Sequence, residues 1–246
     1  MRIPKTLFLL ASLTLSISVY AQHPVPSPAV KPIPQFENPS FCPAEGKTSS
    51  THNDPVLNKE KNRIDEADSF TQVDFDALEN LQKPNIAQVG RRKRSTWSQG
   101  NRGLVGKFEG VPVFVEGFLV LTNVNGQMVG AKPEGAELCN CQKIEPEHID
   151  FHLWLVKDPT NVGTPFIAKP NSIVVEMTPR VRKNHPTWTV EKLTEIANNH
   201  TLVRVSGWVT FDQEHPEQIG VQRHNLWEIH PIMKFQFKQG NQWKTL

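Results

Sequence analysis

The chain has 246 residues, 37% of them apolar and 21% charged, with 20 Pro, 14 Gly, 3 Cys and a formal net charge of +2. That composition excludes collagen, coiled-coil and integral-membrane classes. The small surplus of positive charge sits at the N-terminus, where Arg2 and Lys5 precede an apolar run from Leu7 to Val19 and then Tyr20-Ala21 before Gln22. A basic head, a short apolar middle and small residues at the −3 and −1 positions predict a secretory leader over residues 1–21. The run falls short of the roughly 20 apolar residues that a spanning helix needs, so no membrane span is expected. Without Arg2 and Lys5, 25 of the 27 basic residues remain against 25 acidic ones, a net charge of zero. A neutral mature chain argues against general binding to nucleic acid or membrane surfaces. A periplasmic or secreted location is the expectation, with the partner, whether a ligand or a protein, left unspecified.

Residues 22–53 read as a Pro-rich extended arm, because proline removes backbone donors and fixes φ. From 54 to 103 the pattern predicts short helices and a basic linker. Asp54-Pro55 is a good helix start, with Leu57, Lys61 and Ile64 on one face through about Asp65. A second helix is expected from Phe75 to Lys83, ending before Pro84. Arg91-Arg92-Lys93-Arg94 reads most simply as a solvated linker, with a protease-sensitive site or an anionic-surface anchor as sharper alternatives. Cys42, Cys139 and Cys141 form an odd set. In an oxidising compartment they favour one bridge, from Cys42 to either member of the Cys139-Asn140-Cys141 pair, plus one free thiol. A lone C-x-C falls short of a four-ligand zinc site.

Residues 104–246 change character. Strand 1 is expected over 113–124, with 127–131 as a returning arm after the Asn125-Gly126 hairpin signal. Strand 2 spans 149–157, where Ile149, Phe151, Leu153 and Leu155 alternate with Asp150, His152, Trp154 and Val156. Strand 3 follows at 172–178 and a helix at 188–198, capped by Thr187 or Thr189. Strand 4 runs from Leu202 to Phe211 with Val203, Val205, Val209 and Phe211 on one side. Strand 5 runs from Leu226 to Phe237 with Trp227, Ile229, Met233, Phe235 and Phe237 on one side. Five strands with one helix between the third and fourth predict a mainly β chain built on an OB-fold-like barrel. Gly117 and Gly207, each mid-strand, suit the sharp bends of such a barrel.

The phrases Ile149-Asp150-Phe151-His152-Leu153, Val175-Glu176-Met177-Thr178-Pro179-Arg180, Val205-Ser206-Gly207-Trp208 and Leu226-Trp227-Glu228-Ile229-His230-Pro231 belong together. With Cys42-Pro43-Ala44-Glu45-Gly46, they resemble an uncharacterised family of exported bacterial proteins that end in a Trp-Glu-Ile-His-Pro strand. The resemblance covers most of the mature chain. It implies export and a barrel, and it implies no reaction. The acidic and arginine pattern of the thermonuclease version of the barrel is not matched.

Glu228 and His230 are two apart on a strand and so leave the same face, as do Asp150 and His152. Strand 3 pairs with strand 5 in an OB barrel, which brings Glu176 near Glu228. His152, Glu176, Glu228 and His230 are therefore candidate ligands for a divalent metal such as zinc, with an open position for water. The competing reading is a structural hydrogen-bond network across half-exposed strands. Arg180 and Arg182, with Lys183, His185 and Trp208, Trp154 and Trp188, are candidates for a ligand-binding surface of the stacking and phosphate-pairing kind. Such aromatics more often belong to a core. The leading functional expectation is a non-enzymatic exported binding module, and the alternative is a metal-dependent hydrolase using the His/Glu set.

Overall fold

A computed structural model describes residues 23–24, 42–47 and 54–246. The expected leader, residues 1–21, and most of the expected arm, 22–53, lie outside the described residues. The barrel strands are β1 (Pro112–Leu119), β2 (Asp150–Val156), β3 (Ile173–Met177), β4 (Val203–Phe211) and β5 (Trp227–Gln239). β1 pairs antiparallel with β4, β4 with β5 and β3 with β2, while β3 and β5 run parallel through Val174↔Glu228 and Val175↔Ile229. Phe118↔Val156 and Leu119↔Leu155 then join β1 to β2 and close the ring. The cyclic order 1-2-3-5-4 is that of an OB-like barrel, as the strand–helix sequence predicts.

Alternation builds the core. Phe151, Leu153 and Leu155 of β2 meet Ile173 and Val175 of β3, with Val205 and Phe211 of β4 and Trp227 and Ile229 of β5. The helix between strands 3 and 4, α2 (Val190–Asn198), begins where the Thr189 hydroxyl accepts from the Lys192 N–H and buries Leu193, Ile196 and Ala197. Gly117 and Gly207 mark close approaches. A Cβ on Gly117 would lie 2.7 Å from the Val156 carbonyl oxygen, and one on Gly207 only 2.3 Å from that of Pro231.

Several expectations are corrected. Strand 1 stops at Leu119, and Thr122–Val124 with Gln127–Val129 forms a separate two-stranded hairpin. The Val120 N–H still donates to the Trp154 carbonyl of β2, and the strand ends where the Leu121 N–H turns to the Val162 carbonyl in the following loop. On β5 the alternation is interrupted after Ile229, so that Ile232 also enters the core fully, while Met233 packs against it half-buried. The cause is an irregular register between β4 and β5 around Gly207. The basic stretch is not uniformly solvated. Arg94 is buried, donating to Glu109, to the Phe211 carbonyl and to the Gln213 side-chain oxygen.

The segment before the barrel packs on it. Helix α1 (Pro55–Lys61) is capped by the Asp54 carboxylate, which accepts from the Val56 N–H, and it ends four residues before the expected Asp65. The Phe75 helix likewise ends early, at Glu79, and two further short helices cover Ile86–Val89 and Gln99–Val105. Val73, Phe75, Leu78, Val89 and Trp97 join the same apolar core as the barrel. Among the described residues no helix is long and apolar enough to cross a membrane.

Candidate functional site, a roofed cluster of carboxylates and imidazoles

Because β2, β3 and β5 alternate, the residues between their core positions point outward together. These are Asp150 and His152 on β2, Glu176 on β3, and Glu228 and His230 on β5. The antiparallel register sets His152 opposite Glu176, and the parallel register sets Glu228 opposite Val174. On a bare barrel this polar face would meet water. Instead α1 and the loop 135–142 cover it, and Asp150, Glu228 and His230 are each 0% exposed.

The roof is tied down at several points. Cys42 is disulfide-bonded to Cys141, while Cys139 is free and buried. The Asn62 side chain donates to the Ala44 and Cys139 carbonyls at 3.0 and 2.9 Å. Lys61, at the end of α1, reaches down to Asp212 and Glu228, with Nζ 3.7 Å from each carboxylate. From the side, Arg223 Nη1 donates to both Asp212 Oδ2 and Glu228 Oε2 at 3.2 Å.

All four metal candidates read from the sequence lie in this cluster, but they do not point at a single centre. Glu176 stands between the two imidazoles, with Oε1 3.1 Å from His152 Nδ1 and Oε2 3.4 Å from His230 Nδ1. His152 also meets Glu134 Oε2 at 3.3 Å. His230 Nδ1 lies 3.2 Å from Glu228 Oε1, and its Nε2 faces Asp150 Oδ2 at 3.9 Å. Among the described residues, two sets of potential ligand atoms each lie within 4.8 Å of one another. They are Asp150, Glu176 and His230, and Glu137, Cys139 and Asp150.

Burial sharpens the electrostatics of each group. Burial works against protonated imidazole, but the Glu176 charge next to both rings, with hydrogen bonds to Glu134 and Glu228, raises His152 and His230 above their ordinary value. Burial would likewise raise Glu176 and Asp212. The His230 and His152 charges outweigh it at Glu176, and His215, Lys61 and Arg223 outweigh it at Asp212, so both carboxyls sit below the usual range. Glu137 and Cys139 go the other way. Burial first, then the Asp150 charge at Glu137 and the Glu137 charge at Cys139, push both well up.

The candidate ligand-binding residues are engaged elsewhere. Arg180 Nε donates to Asn62 Oδ1 at 3.0 Å, and its Nη2 donates to the Cys42 carbonyl. Arg182 Nη2 donates to the Pro146 and Ile149 carbonyls, and its guanidinium lies over the Phe151 ring. Trp208 is buried beneath Arg63, whose guanidinium carbon is 3.6 Å from the ring centroid. Trp154 and Trp188 are buried as well. These arginines and tryptophans therefore fasten the N-terminal segment and the loops to the barrel.

Sequence reasoning did not single out Lys61, Arg223, Glu137 and Glu134 as members of the cluster. No local pattern marks them, since each arrives from a distant loop or helix. Asp150 carried a signal in its i, i+2 spacing with His152. No family model matches the chain, and no curated protein or solved structure is detectably similar to it.

Proposed function

We propose that the protein is an exported binding module that uses the OB-like barrel as a rigid scaffold and catalyses no reaction. The observation that carries this reading is the roof. A hydrolase must bring substrate within hydrogen-bond reach of its acid, base or metal, and the carboxylates and imidazoles here lie under α1 and the 135–142 loop with Lys61 inserted among them. The network locks elements together, the role in which buried, mutually bonded polar groups are stable. Partner contacts in this reading fall to the β1–β2 and β4–β5 loops, where OB barrels bind their ligands. Met128 and Val221 are exposed apolar side chains on those two loops.

Export is part of the proposal. It is supported by the leader pattern of residues 1–21, by the Cys42–Cys141 bridge, which suits an oxidising compartment, and by the resemblance to exported proteins. On expression in a bacterial host, the protein is expected in the periplasm or medium with Gln22 as its first residue. Retention of the uncleaved chain in the cytoplasm would remove that part.

The alternative, a metal-dependent hydrolase, draws on the close approach of the Asp150, Glu176 and His230 donor atoms. It requires α1 to lift away. Incubation of the metal-supplemented protein with ester, phosphodiester and peptide substrates separates the two readings. No turnover above that of the Glu176→Gln variant is expected. Metal-dependent turnover abolished by that substitution would replace the module with the hydrolase.

A further inference from the structure

We propose that the outward face of β1, β4 and β5, extended by the C-terminal strand β6 (Gln242–Thr245), docks a linear polysaccharide that bears carboxylates. The surface lies on the sheet and not on the β1–β2 and β4–β5 loops. It therefore goes beyond the binding-module reading and does not depend on it.

Register builds the face. On β1, Val113 and Val115 are buried while Phe114 and Glu116 point outward, half-exposed. Directly opposed residues on neighbouring strands share a face. Glu116 stands opposite Arg204, Arg204 opposite Gln236, and Gln236 opposite Thr245. In the flanking rows Phe114 and Lys234 both lie opposite Ser206, and Lys238 lies opposite Trp243. Arg204 fastens the centre. Its guanidinium carbon is 4.6 Å from the Phe114 ring centroid and 4.3 Å from that of Trp243, and its Nη2 donates to Glu116 Oε1 at 2.6 Å.

Charge points to an acidic occupant. Glu116 neutralises Arg204, whereas Lys234 and Lys238 have no carboxylate partner among the described residues. Four residues apart on one strand, they stand about 13 Å from each other along the sheet. An extended anionic chain meets both at once, the complementarity that fixes register on a surface.

Trp243 supplies the second feature. Of the six tryptophans, Trp97, Trp154, Trp188, Trp208 and Trp227 are buried, and Trp243 alone is half-exposed. Lys238 Nζ lies 4.9 Å from its centroid, so ring and charge occupy one patch. The C–H face of a sugar ring packs against an indole, while its carboxylate forms a charge-assisted hydrogen bond to a lysine. Gln236 and Thr245, between the lysines, are neutral donors and acceptors that suit hydroxyl groups. A single-stranded nucleic acid fits this face less well. Stacking successive bases takes a series of open rings along a basic track, and here Phe114 lies under Arg204 and only two cations are unpaired.

The test titrates the full chain with polygalacturonate, neutral dextran and single-stranded oligo(dT), using calorimetry and intrinsic tryptophan fluorescence. Polygalacturonate is expected to bind and to perturb the fluorescence, and dextran to bind much more weakly. Trp243→Ala should weaken binding about tenfold, and Lys234→Gln/Lys238→Gln by about threefold to tenfold. Lys83→Gln/Lys107→Gln, which removes the same charge from exposed positions elsewhere, should leave the affinity unchanged. A folded chain that does not bind polygalacturonate would overturn the proposal. So would equal affinity for dextran, an equal loss in the Lys83/Lys107 control, or unchanged binding in folded Trp243→Ala and Lys234→Gln/Lys238→Gln chains. Tighter binding of oligo(dT) than of polygalacturonate would replace the polysaccharide with nucleic acid. Circular dichroism reports folding, and should Trp243→Ala unfold, the lysine variant decides.

Discussion

Glu228 and His230 leave β5 on one face, and the Glu228 carboxylate lies 3.2 Å from the imidazole Nδ1. That contact turns the other ring nitrogen toward Asp150 on β2. The same Glu228 takes Lys61 from α1 and Arg223 from the β4–β5 loop. One carboxylate therefore links the roof, the loop and the imidazole, and the cluster behaves as a unit whose members fail together when one is removed.

The Glu60 carboxyl, buried in the last turn of α1, is pushed up to about 7 by burial and by the Glu109 charge, against the opposing pull of Arg63 and Arg94. The folded state thus holds a proton up to about 7, while the unfolded chain releases it near 4.5. The native state binds more protons in that window, so stability falls as pH rises through it. Glu60→Gln keeps an acceptor for Arg63 and removes this cost. At pH 8 it should stabilise the protein by about 2–3 kcal/mol and flatten the decline between these two values. Urea unfolding at a series of pH values checks it, and an unchanged slope would count against the buried proton.

The Cys42–Cys141 bridge closes a sequence separation of 99 residues. Constraining so long a loop in the unfolded chain is worth about 2–5 kcal/mol. The double variant Cys42→Ser/Cys141→Ser, which prevents mispairing with Cys139, should lower the guanidinium midpoint accordingly. Reduction of the wild-type protein should reproduce the effect.

Gly207 lies where β4 and β5 slip in register, and an added Cβ would stand 2.3 Å from the Pro231 carbonyl oxygen and 2.6 Å from Ile229 Cγ2. Gly207→Ala should cost about 2 kcal/mol or more. Gly103, in the Gln99–Val105 helix, has nothing within 4 Å of its Cβ position. Gly103→Ala should instead stabilise by about 0.5–1 kcal/mol. Thermal unfolding of the two variants should show shifts of opposite sign.

Arg63 covers Trp208 and grips Asp65 through Nε and Nη2 at 2.9 and 2.7 Å. A lysine cannot reproduce a planar fork that also stacks. Arg63→Lys should destabilise by about 1–2 kcal/mol. Arg91→Lys, at the exposed pair with Glu217, should change stability by less than about 0.5 kcal/mol in the same denaturation assay.

Much of the barrel is legible because its signals are local. Ile149, Phe151, Leu153 and Leu155 announce a strand and its inner face without reference to anything distant, and Thr189 announces the start of α2. The shared faces of Asp150 with His152 and of Glu228 with His230 follow from the same period of two. Ile232 escapes the strand-5 alternation because an irregularity shifts that period, and nothing in a single strand reveals a slip caused by its neighbour. Arg94 reads as solvated because a charge run carries no mark of the Glu109 that receives it.

The sequence by itself determined the strand order, the helix between strands 3 and 4, and which side chains share a face, since alternation and capping act over a few residues. Only the tertiary structure decided that the polar face is covered, that Cys141 and not Cys139 bonds Cys42, and that Asp150, from β2, joins Glu176 and His230 with ligand atoms within 4.8 Å of one another. The physical reason is range. The parallel register of β3 with β5 and the return of α1 over the barrel are set by the packing of the whole chain, and a buried charge takes its character from neighbours that only this packing supplies.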